Sequence, residues 1–198
     1  QGHGDDRAGM AGAGRVRPMT VPSGFHIDVP SVADAPALSA MAQASFNDTF
    51  AAIPYPPQDL ADFLEGAMGV ARYAAQIADA DYALRIVRDD AGAIIAFIKN
   101  GPNDLPMPAG EPPHSQTREL HQLYVLPQGK GTGIADALMH WSMAEARERG
   151  ASALYLSVFV ENLRAQKFYA RHGFVEIGKN PFRVGTVVDD DRVWKCAL

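Results

Sequence analysis

Leu123-Tyr124-Val125-Leu126-Pro127-Gln128-Gly129-Lys130-Gly131-Thr132-Gly133-Ile134 is the stretch on which the reading of this chain turns. Behind it, Glu119-Leu120-His121-Gln122-Leu123-Tyr124-Val125 reads as a strand. Ahead of it, Ile134 to Arg149 has helical spacing, with Ile134, Leu138, Trp141 and Ala144 on one face and Gly150 as the stop. Three glycines therefore sit where a strand hands over to a helix. Glycine lets backbone come close to a ligand, and the first N–H groups of a helix have no partner within it, so the turn suits a phosphate-bearing ligand. A Walker loop is excluded, because Gly129-Lys130 is followed by Gly131 and Tyr124 stands where the earlier glycine belongs. A dinucleotide fingerprint is excluded too, because Ile134-Ala135-Asp136 follows Gly133.

Working outward, the downstream pattern is strand Leu154 to Val158, a short helix from about Asn162 to His172 ended by Gly173, and strands near Val175 and from Arg192 to Cys196. Upstream, Phe25 to Val29 reads as a strand. A helix capped by Ser31 or Asp34 carries Leu38, Met41, Ala42, Phe46 and Phe50, and a helical piece from Pro57 to Glu65 is stopped by Gly66. A third helical stretch covers Val70 to Ala78. Tyr82 to Val87 and Ala93 to Ile98 form a hairpin about Asp89-Asp90-Ala91-Gly92. Gly101 to Pro113 is a proline-rich loop, long enough to be a flap or a surface excursion. The order gives an α/β fold with a mixed sheet, its α-rich first third serving as a cover. Residues 1–24 lack either period and read as a tail, with Gln1-Gly2-His3 as an expression remnant, leaving one domain over residues 25–198.

Bulk properties narrow the class. The 198 residues suit a single domain, and a formal charge of -5 argues against a nucleic-acid-coating protein. No apolar run reaches the length of a membrane span. The lone Cys196 excludes an intrachain disulfide and reads as a buried strand residue; with no secretory leader, the expectation is a cytoplasmic protein.

Gln128-x-x-Gly131-x-Gly133 resembles the Q/R-x-x-G-x-G/A pyrophosphate loop of the GNAT superfamily of acyl-CoA-dependent N-acyltransferases. Asn162-Leu163-x-Ala165-x-x-Phe168-Tyr169-x-x-x-Gly173-Phe174 is similar to that family's second signature, in the right order. One departure is that Pro127 directly precedes Gln128, where the family often has two more residues. The resemblance implies a single GNAT-type domain, its mostly antiparallel mixed sheet splayed between the fourth and fifth strands. It also implies acetyl-CoA as acyl donor, direct attack by an amine in a ternary complex, and no metal.

Carried onto this sequence, the resemblance implies that amides from Gly129 through Lys130, Gly131, Thr132 and Gly133 to Ile134 hold the pyrophosphate. Leu123, Tyr124 and Val125 would line the pantetheine, with the Val125 N–H as oxyanion donor. Asn162 would bond the pantetheine while Ala165 and Phe168 pack it, and Tyr169 would be the general acid. Such chemistry also needs a route for the amine's proton. Glu119 and His121 share a strand face just before the site, and either could serve, Glu119 through water.

Ser45-Phe46-Asn47-Asp48-Thr49-Phe50 resembles the T-F-x-D-T-F segment of bacterial spermidine/spermine-type acetyltransferases, and Val158 to Asn162 and Asp191-x-Val193-Trp194-Lys195 echo the same group. That resemblance implies a small cationic, polyamine-like acceptor and is compatible with a homodimer. A protein N-terminus or lysine, an aminated antibiotic, or a non-catalytic acyl-CoA sensor are the competing readings. Asp189-Asp190-Asp191 reads as a solvated turn, and Asp48 and Glu65 as surface positions. The histidines show no metal-ligand spacing, and His172 suits a helix end.

Overall fold

A computed structural model describes residues 21–198. Its sheet has seven strands: β1 (Phe25–Asp28), β2 (Ala83–Asp89), β3 (Ile94–Gly101), β4 (Thr117–Val125), β5 (Ala153–Phe159), β6 (Val175–Val184) and β7 (Val187–Ala197), in the order β1-β2-β3-β4-β5-β7-β6. Every pairing is antiparallel except β4 with β5. Helices α1 (Ala35–Thr49), α2 (Pro57–Met68) and α3 (Val70–Ala78) cover one face. Helices α4 (Ile134–Glu148) and α5 (Leu163–Arg171) cover the other.

β3 explains the layering. All eight of its residues are buried, as expected of a strand with helices on both faces. Ile95, Ala96 and Ile98 pack in the core under α4, while Ile94 and Phe97 pack in the core under α1 to α3. Its two polar residues find partners: Lys99 Nζ donates to Gln76 Oε1 at 2.9 Å, and Asn100 Nδ2 donates to Glu145 Oε2 at 2.7 Å.

Several expectations need correction. Gly66 does not stop α2, which continues to Met68; a helix tolerates one glycine when flanking residues are packed, and Leu64 and Met68 are. The buried face of α4 is Ile134, Leu138, Met139, Ser142, Glu145 and Ala146; Trp141 stays half-buried, with the Arg85 guanidinium 4.7 Å over its ring. The last two strands are far longer than read and form a hairpin about Gly185-Thr186. The Gly101 to Pro113 loop is an anchored excursion. Leu105 is buried with Tyr155 and Val193, and Asn103 Nδ2 donates to Thr117 Oγ1 at 3.0 Å. The tail expected over residues 1–24 lies, up to residue 20, outside the described residues; Val21 already packs against the core. No helix among the described residues is long and apolar enough to cross a membrane.

Candidate active site

β4 and β5 are hydrogen-bonded only at their starts, where Thr117, Arg118 and Glu119 pair with Ala153, Leu154 and Tyr155. Beyond Glu119 the two parallel strands part, and a cleft of about 660 Å³ opens between them. Leu123 and Val125 pack with the α4/α5 core and Tyr124 with the α1–α3 core, so the cleft has a wall of β4 that serves both faces of the sheet.

The glycine turn lies at the end of β4. Pro127–Gly129 forms a single 3-10 turn, and Gly131 and Gly133 take φ of 79° and 89°, a left-handed region that strains other residues. Gly129 has a different reason to be glycine: a Cβ there would stand 2.9 Å from Val125 Cγ1. Gly133 is the N-cap of α4, and the helix's first internal bond runs from Ala137 N to Gly133 O at 3.0 Å. The N–H groups of Ile134, Ala135 and Asp136 precede that bond, an arrangement suited to an anion. Lys130 and Arg164 also line the cleft and add positive charge; Gln128 is exposed and outside the lining.

α5 forms the next wall with Asn162, Ala165, Phe168 and Tyr169. Asn162 caps the helix, its Oδ1 accepting from Ala165 N at 3.1 Å, which leaves the Nδ2 amide for other partners. Tyr169 packs its ring 5.8 Å from Phe174 and 5.6 Å from Phe168. Burial pushes its phenol up to about 12, so it is protonated at neutral pH. His172, at the end of the same helix, bonds Asp136 of α4 at 2.9 Å.

Glu119 and His121 do come together, but not as two equal faces of the cleft. A bulge makes His121 the extra residue opposite Lys99-Asn100. Its Nε2 bonds the Pro102 carbonyl at 2.9 Å, and its Nδ1 lies 3.2 Å from Glu119 Oε1. A carbonyl only accepts, so Nε2 carries the proton and Nδ1 presents a lone pair to the carboxyl. Burial raises Glu119 to about 7, and burial together with the Lys99 charge lowers His121 to about 4. His121 lines the cleft, while Glu119 sits behind it and accepts from Asp104 N at 3.1 Å.

The reading of Asp189-Asp190-Asp191 as a solvated turn is overturned. The three lie in β7, and strand alternation turns Asp189 and Asp191 inward at 5% and 8% exposure. Tyr55 donates to Asp189, and Ser157 Oγ donates to Asp191 Oδ2 at 3.1 Å. Asp191 joins Ser157, Phe159 and, from α1 and its C-cap, Ser45, Asp48 and Phe50 in lining the cleft. Of these, the sequence singles out only the aspartates as titratable groups, while Ser45, Phe50 and Phe159 enter it through the segments that resemble spermidine/spermine-type acetyltransferases. The period-2 placement of Asp189, Asp191 and Val193 was the signal available for β7.

Residues 43–174 match the family model described as Acetyltransferase (GNAT) family. An uncharacterized N-acetyltransferase of Mycobacterium tuberculosis is 35% identical over 140 residues, covering 69% of this chain and 81% of that protein. Among solved structures, a PaiA N-acetyltransferase from Thermoplasma acidophilum in complex with coenzyme A superposes with a TM-score of 0.68 at 19% identity, covering 88% of this chain and 99% of the other. A spermidine N-acetyltransferase SpeG chimera from Vibrio cholerae and hSSAT gives 0.59 at 19% identity, covering 88% and 96%. The sheet order, the parted strands and the family match agree: the chain belongs to the GNAT family of acetyltransferases, enzymes that draw their acetyl group from acetyl-CoA.

Proposed function

We propose that this protein acetylates a primary amine of a small cationic, polyamine-like acceptor, by direct attack within a ternary complex in the cleft between β4 and β5. The observation that carries this reading is the mixed charge of the cleft lining: Lys130 precedes α4 and Arg164 lies in α5, the helices on one face of the sheet, while Asp48 lies in α1 on the other face and Asp191 in β7. An anionic donor and a cationic acceptor can then enter one cleft from opposite sides without competing for the same charges.

The residues present fit acetyl-CoA. Past Glu119 the β4 edge that faces β5 has no strand partner among the described residues, so an extended amide-bearing arm can pair with it beside Leu123, Tyr124 and Val125. Amides from Gly129 to Ile134 would hold the pyrophosphate, with Lys130 and Arg164 as counter-charges. Asn162 would donate from Nδ2, and Ala165 and Phe168 would pack the arm. When bound, the thioester supplies an activated acetyl group and a thiol leaving group. The Val125 N–H stabilises charge on the acetyl oxygen. Tyr169, protonated at neutral pH, gives its phenolic proton to the departing sulfur.

Glu119 takes up the proton that the amine loses, through water or past the His121 ring. The pairing of both His121 nitrogens with Pro102 and Glu119 supports this assignment, because both are already engaged within the protein.

Release of thiol from acetyl-CoA with a panel of amines tests the reading. The expected result is turnover with short aliphatic amines bearing a second positive charge. Tight acetyl-CoA binding without turnover of any amine would instead favour a sensor.

A further inference from the structure

Asp191 differs from the carboxylates around it. Asp189 is engaged by the Tyr55 hydroxyl, and Asp190 is exposed and paired with Arg192 at 2.7 Å. Asp191, at 8% exposure, uses only Oδ2, toward Ser157; its Oδ1 is buried with no hydrogen-bond partner among the described residues. An unpaired buried carboxylate oxygen is costly, and a strand that keeps one in the wall of an open cleft is set up for a donor that arrives from outside. Ser157 is itself held, accepting from Asn180 Nδ2 at 2.9 Å, so the carboxyl is fixed in place before any ligand enters.

The chemistry of that donor follows from what lines the same part of the cleft. Asp48 projects from α1, so a cation is favoured and a carboxylate or phosphate is opposed. Phe159 is the cross-strand partner of Asp191 and Phe50 follows Asp48 by two residues; both line the cleft with ring centroids 5.9 Å apart, a surface for methylene groups. Resting on the acetyl-transfer reading above, we propose that Asp191 is a specificity-determining residue. Its Oδ1 receives the non-reacting ammonium group of a diamine acceptor whose aliphatic spacer lies against Phe50 and Phe159. The other amine of that acceptor is the one acetylated. The class selected is a primary diamine, in preference to a monoamine and against an amino acid.

Steady-state thiol release from acetyl-CoA, with 1,4-diaminobutane, n-butylamine and 4-aminobutanoate compared on the full chain, tests this. The wild type is expected to prefer the diamine by about tenfold or more in kcat/KM, with 4-aminobutanoate the poorest. Asp191→Asn should raise KM for the diamine about tenfold, leave its kcat within about threefold, and bring diamine and n-butylamine close together. Asp191→Glu, which keeps the charge, should retain part of the preference. Equal use of diamine and monoamine by the wild type, or an equal loss on both amines in Asp191→Asn, would overturn the assignment while leaving acetyl transfer intact. If the wild type acetylates no amine, the acetyl-transfer reading fails instead. Calorimetric titration of 1,4-diaminobutane into coenzyme A-loaded protein then decides the role of Asp191. Binding weakened about tenfold in Asp191→Asn supports the subsite, and no binding by the wild type removes it.

Discussion

Tyr169 and Glu119 are both displaced from their ordinary protonation ranges by burial, in ways that separate an acid from a base. Tyr169→Phe keeps the ring that packs on Phe168 and Phe174 but removes the transferable proton. It should lower kcat about 100-fold with little change in coenzyme A affinity, as thiol release and calorimetry would show. Glu119 at about 7 and His121 at about 4 predict different acid limbs. If Glu119 takes the proton, kcat/KM rises with pH through about 7, and Glu119→Gln abolishes that limb; a limb near 4 would indicate His121 instead. The same shift has a stability consequence. The folded-state pKa of Glu119 is raised, so the native state holds its proton more tightly, and stability attributable to this group falls as pH climbs from about 4.5 to about 7. His121 and Lys99, both lowered, act in the opposite sense over their own ranges. The difference in melting temperature between Glu119→Gln and wild type should therefore become more positive from pH 5 to pH 8. The underlying change would be about 1–3 kcal/mol, and thermal melts across that range would measure it.

At the scale of elements, the two halves of the chain use glycine for opposite purposes. Gly133 caps α4 in the left-handed region, so Gly133→Ala should cost about 1–2 kcal/mol and weaken coenzyme A binding by disturbing the amides beside it. Gly66 lies inside α2, and a Cβ there would meet nothing within 4 Å. Gly66→Ala should thus stabilise the protein by about 0.5–1 kcal/mol, seen as a higher denaturant midpoint with the same acetyl-transfer rate. This is also where sequence reading misjudged an element. A glycine soon after the apolar pair Phe63-Leu64 looks like a stop signal, yet α2 goes on because Met68 is buried with residues of α1 and α3 in the core. The last two strands were underestimated for a related reason: their polar residues alternate with buried ones, and only the pairing of β6 with β7 gives that alternation its inward side.

For the whole molecule, the opening between β4 and β5 depends on the sheet being held elsewhere. Asn100 on β3 is fully buried and ties the sheet to α4: its Nδ2 donates to Glu145 and to the Ser142 carbonyl at 2.9 Å, and its Oδ1 accepts from Ser142 Oγ at 2.6 Å. Asn100→Leu would leave Ser142 and Glu145 without that partner inside the core. It should cost about 2–4 kcal/mol, a shift visible in urea unfolding. Because α4 begins at the glycine turn, the same variant should also loosen coenzyme A binding. On the opposite face, Asp59 of α2 accepts from Thr186 N at 2.8 Å and from Thr186 Oγ1 at 2.7 Å, so the β6–β7 hairpin is joined to the helical cover.

What the sequence determined alone was the part written in local chemistry. The glycine turn, the strand before it, the helix after it and the Asn162 to Phe174 segment each have a spacing that neighbouring residues enforce, so the α/β class and the elements that meet at one end of the cleft were legible. What only tertiary structure decided was the acidic and aromatic part of the cleft lining. Asp191 comes from β7, Ser157 from β5, and Asp48 and Phe50 from the end of α1 and its C-cap, and no spacing along the chain relates these three segments. They meet because β4 and β5 part after three paired residues and β7 inserts beside β5, an arrangement set by hydrogen bonding across the sheet. The fate of Asp189-Asp190-Asp191 shows the reason most directly. Three consecutive acids are solvated by default, and it takes a neighbouring strand on each side to turn two of them into a buried wall.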